Sequence, residues 1–366
     1  MKLCLIYNYA QHYRTDIFKL LDRSLDIDFV FGDQYLNIKK MDYALLNNKV
    51  KEVRNKWFGN IGWQTGVVQL AFKKYDAYII LGEPMVISTW LLLVMARLQR
   101  KRVYFWTHVW YGKETKIKAL IKKTFFGLAN GNFLYGNYAR DLMIKEGMNP
   151  NKLHVIYNSL AYDEQLLIRA RQKETDVYES HFANVNPVIL FIGRLTKQKK
   201  LDMILKAQYA CRSNGFCFNV VFIGDGPENV DLKHLANSLN IISDVWFYGP
   251  SYNETELSSL VYNADLCVAP GNIGLTAMHA MVYGCPCVSH NNFSRQMPEF
   301  EAIKKGVTGS FFKYDNIEDL AECIKNWFCM HNNDRDAIRQ NCYKEIDEHW
   351  NPYVQWNVMK DVICYD

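Results

Sequence analysis

Two cations beside a glycine turn carry the first chemistry in this 366-residue chain. In Val188-Ile-Leu-Phe-Ile-Gly193-Arg194-Leu-Thr-Lys-Gln-Lys199-Lys-Leu-Asp202 an apolar strand ends at Gly193. A turn then presents Arg194 and Lys199, and a helix begins near Leu201. A guanidinium and an ammonium at a strand's carboxyl end form a cradle for a diphosphate. The same residues also suit a plain βα turn with solvated lysines. A second region runs Asn263-Ala-Asp-Leu-Cys-Val-Ala-Pro270-Gly-Asn272-Ile-Gly274-Leu275-Thr276-Ala-Met-His279. Here a strand passes through a glycine loop into a helix. The amides of Gly274, Leu275 and Thr276 open that helix, carry partial positive charge and suit a pyrophosphate.

At this separation the two regions resemble the donor half of retaining glycosyltransferases of the GT-B fold, family 4 (glycosyl transferases group 1). The resemblance covers residues 185–345 well and the first half loosely. It implies that Arg194 and Lys199 are catalytic, stabilising a leaving diphosphate, with Gly193 in the same turn. It places Gly224 in a second glycine turn, Gly224-Asp-Gly-Pro227, which also reads as an ordinary turn. Tyr248, Gly249 and Pro250 fall where the family contacts the nucleobase, with Ser251 or Tyr252 nearby. Glu299, in Gln296-Met-Pro-Glu299, matches a Pro-Glu helix start, where a carboxylate also favours the helix dipole. Family members usually carry a glutamate just after the loop proline and another at a later helix position. Here those positions hold Gly271 and His279. Asn272 or the loop backbone then takes the sugar, and His279 either bonds the ribose or packs in the core.

In the first half, Asn8, His12 and Arg14 occupy the loop after the first strand and are expected to bind the acceptor. Arg14 either pairs with an acceptor phosphate or is a solvated helix-start residue. The glycine pair common in this loop is missing. His108, in Trp106-Thr-His108-Val-Trp-Tyr-Gly112, falls where the family places a histidine near the transferred sugar, and it is read as catalytic. Tyr157-Asn158-Ser159 matches an asparagine turn of the family. Asp26-Ile-Asp28 satisfies a DxD pattern but lies within a strand, so no metal and no cofactor beyond the co-substrate is expected.

Alternating strands and helices position these residues. Apolar runs predict strands at 2–7, 27–31, 77–81, 102–106, 132–135 and 153–156, then at 188–192, 218–223, 245–248, 266–269, 287–289 and 309–312. Helical spacing predicts helices at 201–213, 229–239, 254–262, 275–283, 298–304 and 316–330. The fold class is therefore α/β, with two Rossmann-like doubly wound parallel-sheet domains. The resemblance sets them across a deep cleft. Residues 1–170 are the expected acceptor domain and 185–349 the donor domain. A polar linker over 163–186 joins them, and the resemblance carries a tail helix, 350–366, back onto the first domain.

Composition bounds the rest. Hydrophobic residues make up 49% and charged residues 22%, as in a folded protein. The 10 Cys include no CxxC pair, which points to reduced thiols. No signal peptide or membrane span is read. Residues 1–162 hold 24 Lys and Arg against 12 Asp and Glu, whereas the remainder holds 19 against 26. No nucleic-acid motif accompanies the basic half. An anionic membrane surface fits it better, because Lys113, Lys116, Lys118, Lys122 and Lys123 flank an apolar stripe of Ile117, Leu120, Ile121, Phe125 and Phe126.

The expected activity is metal-independent, retaining transfer of a sugar from a nucleotide-sugar donor to a glycan or lipid-linked acceptor of a bacterial-type surface polysaccharide or glycolipid. The expected location is cytoplasmic, peripheral to the inner face of the cell membrane. The alternative is a noncatalytic nucleotide-sugar or polyanion-binding protein on the same fold. A nucleotide-sugar epimerase on that architecture lacks its expected acidic and basic residues.

Overall fold

Strands buried on both faces read as unbroken apolar runs, and the chain lays down two sets of them. The computed structural model describes residues 1–34, 38–108, 110–331 and 334–365; Val109, in the stretch after Trp106, and the final residue of the tail lie outside these. The chain divides into two units, Met1–Ala161 with Asn351–Asp366, and Tyr162–Trp350.

The first unit runs β1 (Lys2–Tyr7), α1 (Thr15–Ser24), β2 (Asp26–Gly32), β3 (Val50–Val53), a hairpin of β4 (Asn55–Phe58) and β5 (Ile61–Gln64), and β6 (Ala77–Leu81). It continues through α2 (Ile87–Leu98), β7 (Arg102–Thr107), α3 (Lys116–Gly127), β8 (Gly131–Leu134), α4 (Asn137–Lys145) and β9 (Leu153–Val155). Seven strands form one parallel sheet in the order β3-β2-β1-β6-β7-β8-β9. Its two faces are separate cores. One holds Ile17, Phe18 and Leu21 of α1 with Met359, Val362 and Ile363 of the C-terminal helix, Pro352–Tyr365. The other holds Leu92 and Leu93 of α2 with Phe125 and Phe126 of α3.

The second unit begins with α5 (Tyr162–Arg169) and α6 (Val177–Phe182). Then follow β10 (Val188–Ile192), α7 (Asp202–Ser213), β11 (Asn219–Ile223), α8 (Asn229–Ser238), β12 (Val245–Gly249), α9 (Glu254–Asn263) and β13 (Leu266–Ala269). The unit closes with α10 (Leu275–Met281), β14 (Cys287–His290), β15 (Gly309–Phe312), α11 (Ile317–Met330) and α12 (Arg335–His349). Its parallel sheet has the order β12-β11-β10-β13-β14-β15. Strand order reverses between β1 and β6 and between β10 and β13. Loops leaving adjacent strands in opposite directions open a crevice at such points, where α/β sheets bind ligands.

Two expectations are corrected. The stretch read as a linker carries α5 and α6, because Tyr178 and Phe182 bury against the second unit and Arg169 pairs with Asp347 at 2.8 Å. The helix expected at 298–304 is a 3-10 turn, Pro298–Ala302, fixed by Pro298 at its start.

Candidate active site

β10 and β13 lie side by side, and the turn after β10 is gripped from two directions. On one side Gly193 N donates to Ile223 O at 3.0 Å, Leu195 N to Asp225 O at 3.0 Å, and Glu228 N to Leu195 O at 3.1 Å. On the other, Gly271 N donates to Lys199 O at 2.9 Å. The backbones approach so closely that glycine is required. A Cβ on Gly224, which also has φ +141°, would lie 2.0 Å from Gly193 O. A Cβ on Gly271 would lie 2.1 Å from Gln198 O and 2.7 Å from Lys199 Cα. The space a family glutamate would enter at 271 is therefore filled by the turn that carries Lys199.

Lys199 Nζ donates to Asn272 O at 2.8 Å and to Asn272 Oδ1 at 2.9 Å. Asn272, expected on the sugar, thus directs its side-chain oxygen at the lysine. Burial pushes the Lys199 ammonium down to about 8, and the Glu299 carboxylate partly opposes this. Glu299 is buried, and its Oε2 lies 3.9 Å from the position a Gly274 Cβ would take, beside the start of α10. Thr276 Oγ1 donates to Ile192 O at 2.9 Å and ties α10 to the end of β10. Gly274 caps α10 with no side-chain hydrogen bond, so the first-turn amides form a positive helix end. Arg194 is exposed on the same turn. The structure thus gathers Gly193, Arg194, Lys199, Asn272, the 274–276 amides and Glu299, with Gly224 beneath them.

Sequence reasoning missed what holds the glycine loop. Gln296 is buried, accepts from Ile273 N at 2.8 Å, and donates to Ser289 Oγ at 2.8 Å and to His290 O at 2.9 Å. Ser289 Oγ in turn donates to Ala269 O at 2.8 Å. No sequence pattern separates such a buried glutamine from a surface one; its position just before Pro298-Glu299 is the only cue. His279 is half-buried, about one turn inside α10. The Tyr248–Pro250 segment joins the site through Gly224 N, which donates to Gly249 O at 2.8 Å. Tyr248 and Ser251 hydroxyls both donate to Glu256, and burial, then Glu256, pushes the Tyr248 phenol up to about 12.

In the first unit the loop after β1 divides. His12 is exposed and its Nδ1 lies 3.2 Å from Lys39 O, so it braces a neighbouring loop. Asn8 is half-buried, and its carbonyl accepts from Asn55 Nδ2 at 2.7 Å. Arg14 is buried, not solvated, with its guanidinium carbon 5.2 Å from the ring centres of both Trp106 and Tyr135. His108 stacks on Tyr135 with centroids 3.8 Å apart. Burial, then the Arg14 charge, pushes its imidazole down to about 3, so it is neutral at physiological pH. Arg14 and His108 thus share one locality, apart from His12. Tyr157, in left-handed backbone at φ +55°, anchors the C-terminal helix by accepting from Gln355 Nε2 at 2.9 Å. Asp28 of the DxD pattern accepts from Tyr75 Oη at 2.6 Å and pairs with Lys2 at 3.6 Å.

The lysine-flanked helix is corrected in part. Phe125 and Phe126 are core residues, whereas Ile117 (74% exposed), Leu120 and Ile121 face solvent. Lys122 pairs with Glu114 at 2.7 Å. Exposed Ile87, Leu91, Val94 and Leu98 form a further stripe along α2, and Phe58, 72% exposed, tips the hairpin that packs against α2. Trp90 of α2 meets Phe125 of α3 at 4.7 Å, so the two helices are neighbours. Residues 84–128 carry nine Lys and Arg and one acid, Glu114. Among the described residues no helix is long and apolar enough to cross a membrane.

Comparison with known proteins places this geometry. A family model described as glycosyl transferases group 1 matches residues 172–345. An uncharacterized 41.2 kDa protein in the cps region of Klebsiella pneumoniae is 28% identical over 246 residues, 65% of this chain and 62% of that protein. A probable glycogen synthase 2 of Nostoc is 28% identical over 237 residues, 62% of this chain and 42% of that one. The match thus spans under two thirds of either relative. Among solved structures, HepE of Anabaena in complex with UDP superposes with a TM-score of 0.74 at 15% identity, covering 98% of this chain and 99% of that one. A lipopolysaccharide outer core galactosyltransferase superposes at 0.71 and 16%, covering 99% of each chain. The chain has the GT-B fold of glycosyltransferases, and its residues 172–345 are similar to glycosyl transferases group 1.

Proposed function

We propose that this protein is a retaining glycosyltransferase that moves a sugar from a nucleotide-sugar donor to a glycan or lipid-linked acceptor in surface polysaccharide or glycolipid synthesis. The observation that carries the reading is the convergence of Arg194, Lys199 and the uncapped start of α10 where the strand order reverses. Three positive features sit there within a region similar to glycosyl transferases group 1. HepE, a structural neighbour, has been solved with UDP-glucose, which supports a nucleotide-sugar at the equivalent place. The donor binds the second domain and the acceptor the first.

The chemistry follows from charge. As the bond from the anomeric carbon to the diphosphate oxygen breaks, negative charge grows on the leaving group. Preorganised cations and amides lower the barrier most at that point. The acceptor oxygen attacks the same face of the sugar, and its proton passes to a phosphate oxygen of the departing diphosphate. No side-chain base is needed, and neutral His108 serves the first domain's acceptor site as a hydrogen-bonding group. His279 takes the ribose hydroxyls and Tyr248–Pro250 the base. The two cations and the helix end neutralise the diphosphate, so turnover is metal-independent.

The apolar stripes of α2 and α3 and the Phe58 tip, amid surplus lysine and arginine, suit peripheral docking on an anionic membrane. These features support a location at the cytoplasmic face, where a lipid-linked acceptor is presented. A panel of nucleotide-sugars mixed with the protein, with and without a membrane acceptor fraction, tests the reading. A labelled product that forms only with acceptor supports a transferase. Nucleotide binding with no product under any condition leaves the noncatalytic alternative.

A further inference from the structure

Arg14 is a buried cation that is only partly satisfied. It is 4% exposed and hydrogen-bonds Tyr135, but its Nε and Nη1 are buried with no hydrogen-bond partner among the described residues. Its guanidinium carbon lies 5.4 Å from the ring centre of Tyr7, 5.6 Å from Tyr13, and 5.2 Å from Trp106 and from Tyr135. The polar groups acting on it are tyrosines, and no carboxylate is among them. Aromatic faces attract a cation but accept none of its directional hydrogen bonds.

The shortfall is shared by its neighbours. Trp106 Nε1, a donor only, is buried without an acceptor, as is His108 Nδ1, whose ring stacks on Tyr135. In the loop leading to Arg14, Asn8 Oδ1 and Gln11 Oε1 are buried acceptors without donors. Folded proteins leave few buried polar atoms unmet, so several of them on one loop and the adjoining strand end point to a bound group. The missing partner must bring negative charge for Arg14 and Trp106. Hydroxyl groups on it would serve Asn8 and Gln11.

Resting on the transferase reading, we propose that the acceptor is anionic, and that Arg14 with Trp106 holds its phosphate or carboxylate while sugar or polyol hydroxyls meet Asn8 and Gln11. The site belongs to the first unit alone and is separate from the residues assigned to the donor diphosphate.

Binding is tested without turnover. The full chain carrying Arg194→Ala and Lys199→Ala, which removes the donor cradle, is melted in phosphate, acetate or chloride at constant ionic strength. Phosphate or acetate should raise Tm by several degrees, and adding Arg14→Met should abolish the rise. Arg14→Met gives up the guanidinium's aromatic contacts, so its anion-free Tm serves as its own baseline and only the anion-induced shift is read. Should that variant fail to fold, Trp106→Phe, which deletes the indole donor together with part of the buried ring system, should weaken the anion effect relative to its own anion-free Tm. No anion effect, or one unchanged by both substitutions, overturns the proposal.

Transfer then identifies the anion. Phosphatase treatment of a membrane acceptor fraction should reduce labelling at least tenfold if the anion is a phosphate. Reduction of carboxyl groups should do so if it is a uronate. Arg14→Met should raise the acceptor KM at least tenfold with the donor KM unchanged. If neither treatment reduces transfer, the acceptor is neutral and the proposal fails. If no donor is turned over at all, the transferase reading fails, while the melting experiment still decides whether Arg14 binds an anion.

Discussion

Gly271→Ala adds one methyl group and should disable the donor site. Its Cβ would lie 2.1 Å from Gln198 O and 2.7 Å from Lys199 Cα, both backbone atoms that no rotamer change can move. Restoring van der Waals distance shifts the 197–199 turn by about 1 Å or more. Gly271 N also holds Lys199 O at 2.9 Å, so the shift stretches that bond too. Overpacking of this kind costs about 1–3 kcal/mol of stability, which a domain of this size tolerates. A misplacement of about 1 Å at a reacting centre costs about 100-fold in rate. The assay is kcat/KM for the donor, with Tm and circular dichroism as controls. The expected result is a folded protein with turnover reduced about 100-fold. Near-normal kcat/KM with unchanged Tm would show that the Lys199 turn is not held against Gly271 and that its position does not govern catalysis.

Other outcomes follow from the same geometry. Lys199 binds a diphosphate only when protonated, and burial sets its pKa near 8, down from 10.5. Donor kcat/KM should therefore be level below that pH and fall tenfold per unit above it, and Lys199→Arg should move the falling limb beyond the measurable range. Excess EDTA should leave activity intact; complete loss, restored by manganese or magnesium, would mean that a metal shares the neutralisation. Protein binding to anionic vesicles should weaken strongly in Lys116→Ser/Lys118→Ser/Lys123→Ser, by about 1 kcal/mol per lysine at low salt. Phe58→Ser with Leu98→Ser should weaken it at every salt concentration. Turnover on a short water-soluble acceptor should not change in either variant, and a wild-type protein indifferent to such vesicles would rule out the docking face.

The sheets were legible because buried parallel strands leave unbroken apolar runs. The strands expected at 2–7, 77–81, 188–192, 266–269 and 309–312 form with those bounds. Polar segments were not. α5 and α6 lie in a polar stretch whose few apolar residues, Tyr178 and Phe182 among them, become buried only against distant parts of the second unit. α12 went unread for a similar reason, since its apolar positions are sparse and Arg339 and Glu345 are buried with them. The short hairpin β4–β5 leaves Phe58 and Ile61 exposed, so no alternation marks it as half-buried. At the site, Arg194, Lys199 and the 274–276 loop were legible from glycine turns at strand ends. What holds them was not: Gln296 and Asn272 act through contacts spanning 23 and 73 residues of chain. Arg14 read as either solvated or ligand-bound, because sequence does not reveal that Tyr7, Trp106 and Tyr135 converge on it.

The central claim is that the Arg194–Lys199 turn stabilises a departing nucleoside diphosphate. The most direct measurement is the rate of labelled-sugar transfer at saturating donor and acceptor for wild type, Arg194→Ala and Lys199→Ala. Loss of a preorganised charge on a leaving group costs about 100-fold or more, so both variants should fold normally and fall at least that far in kcat. A wild type that transfers sugar while either variant keeps near-normal kcat would contradict the account.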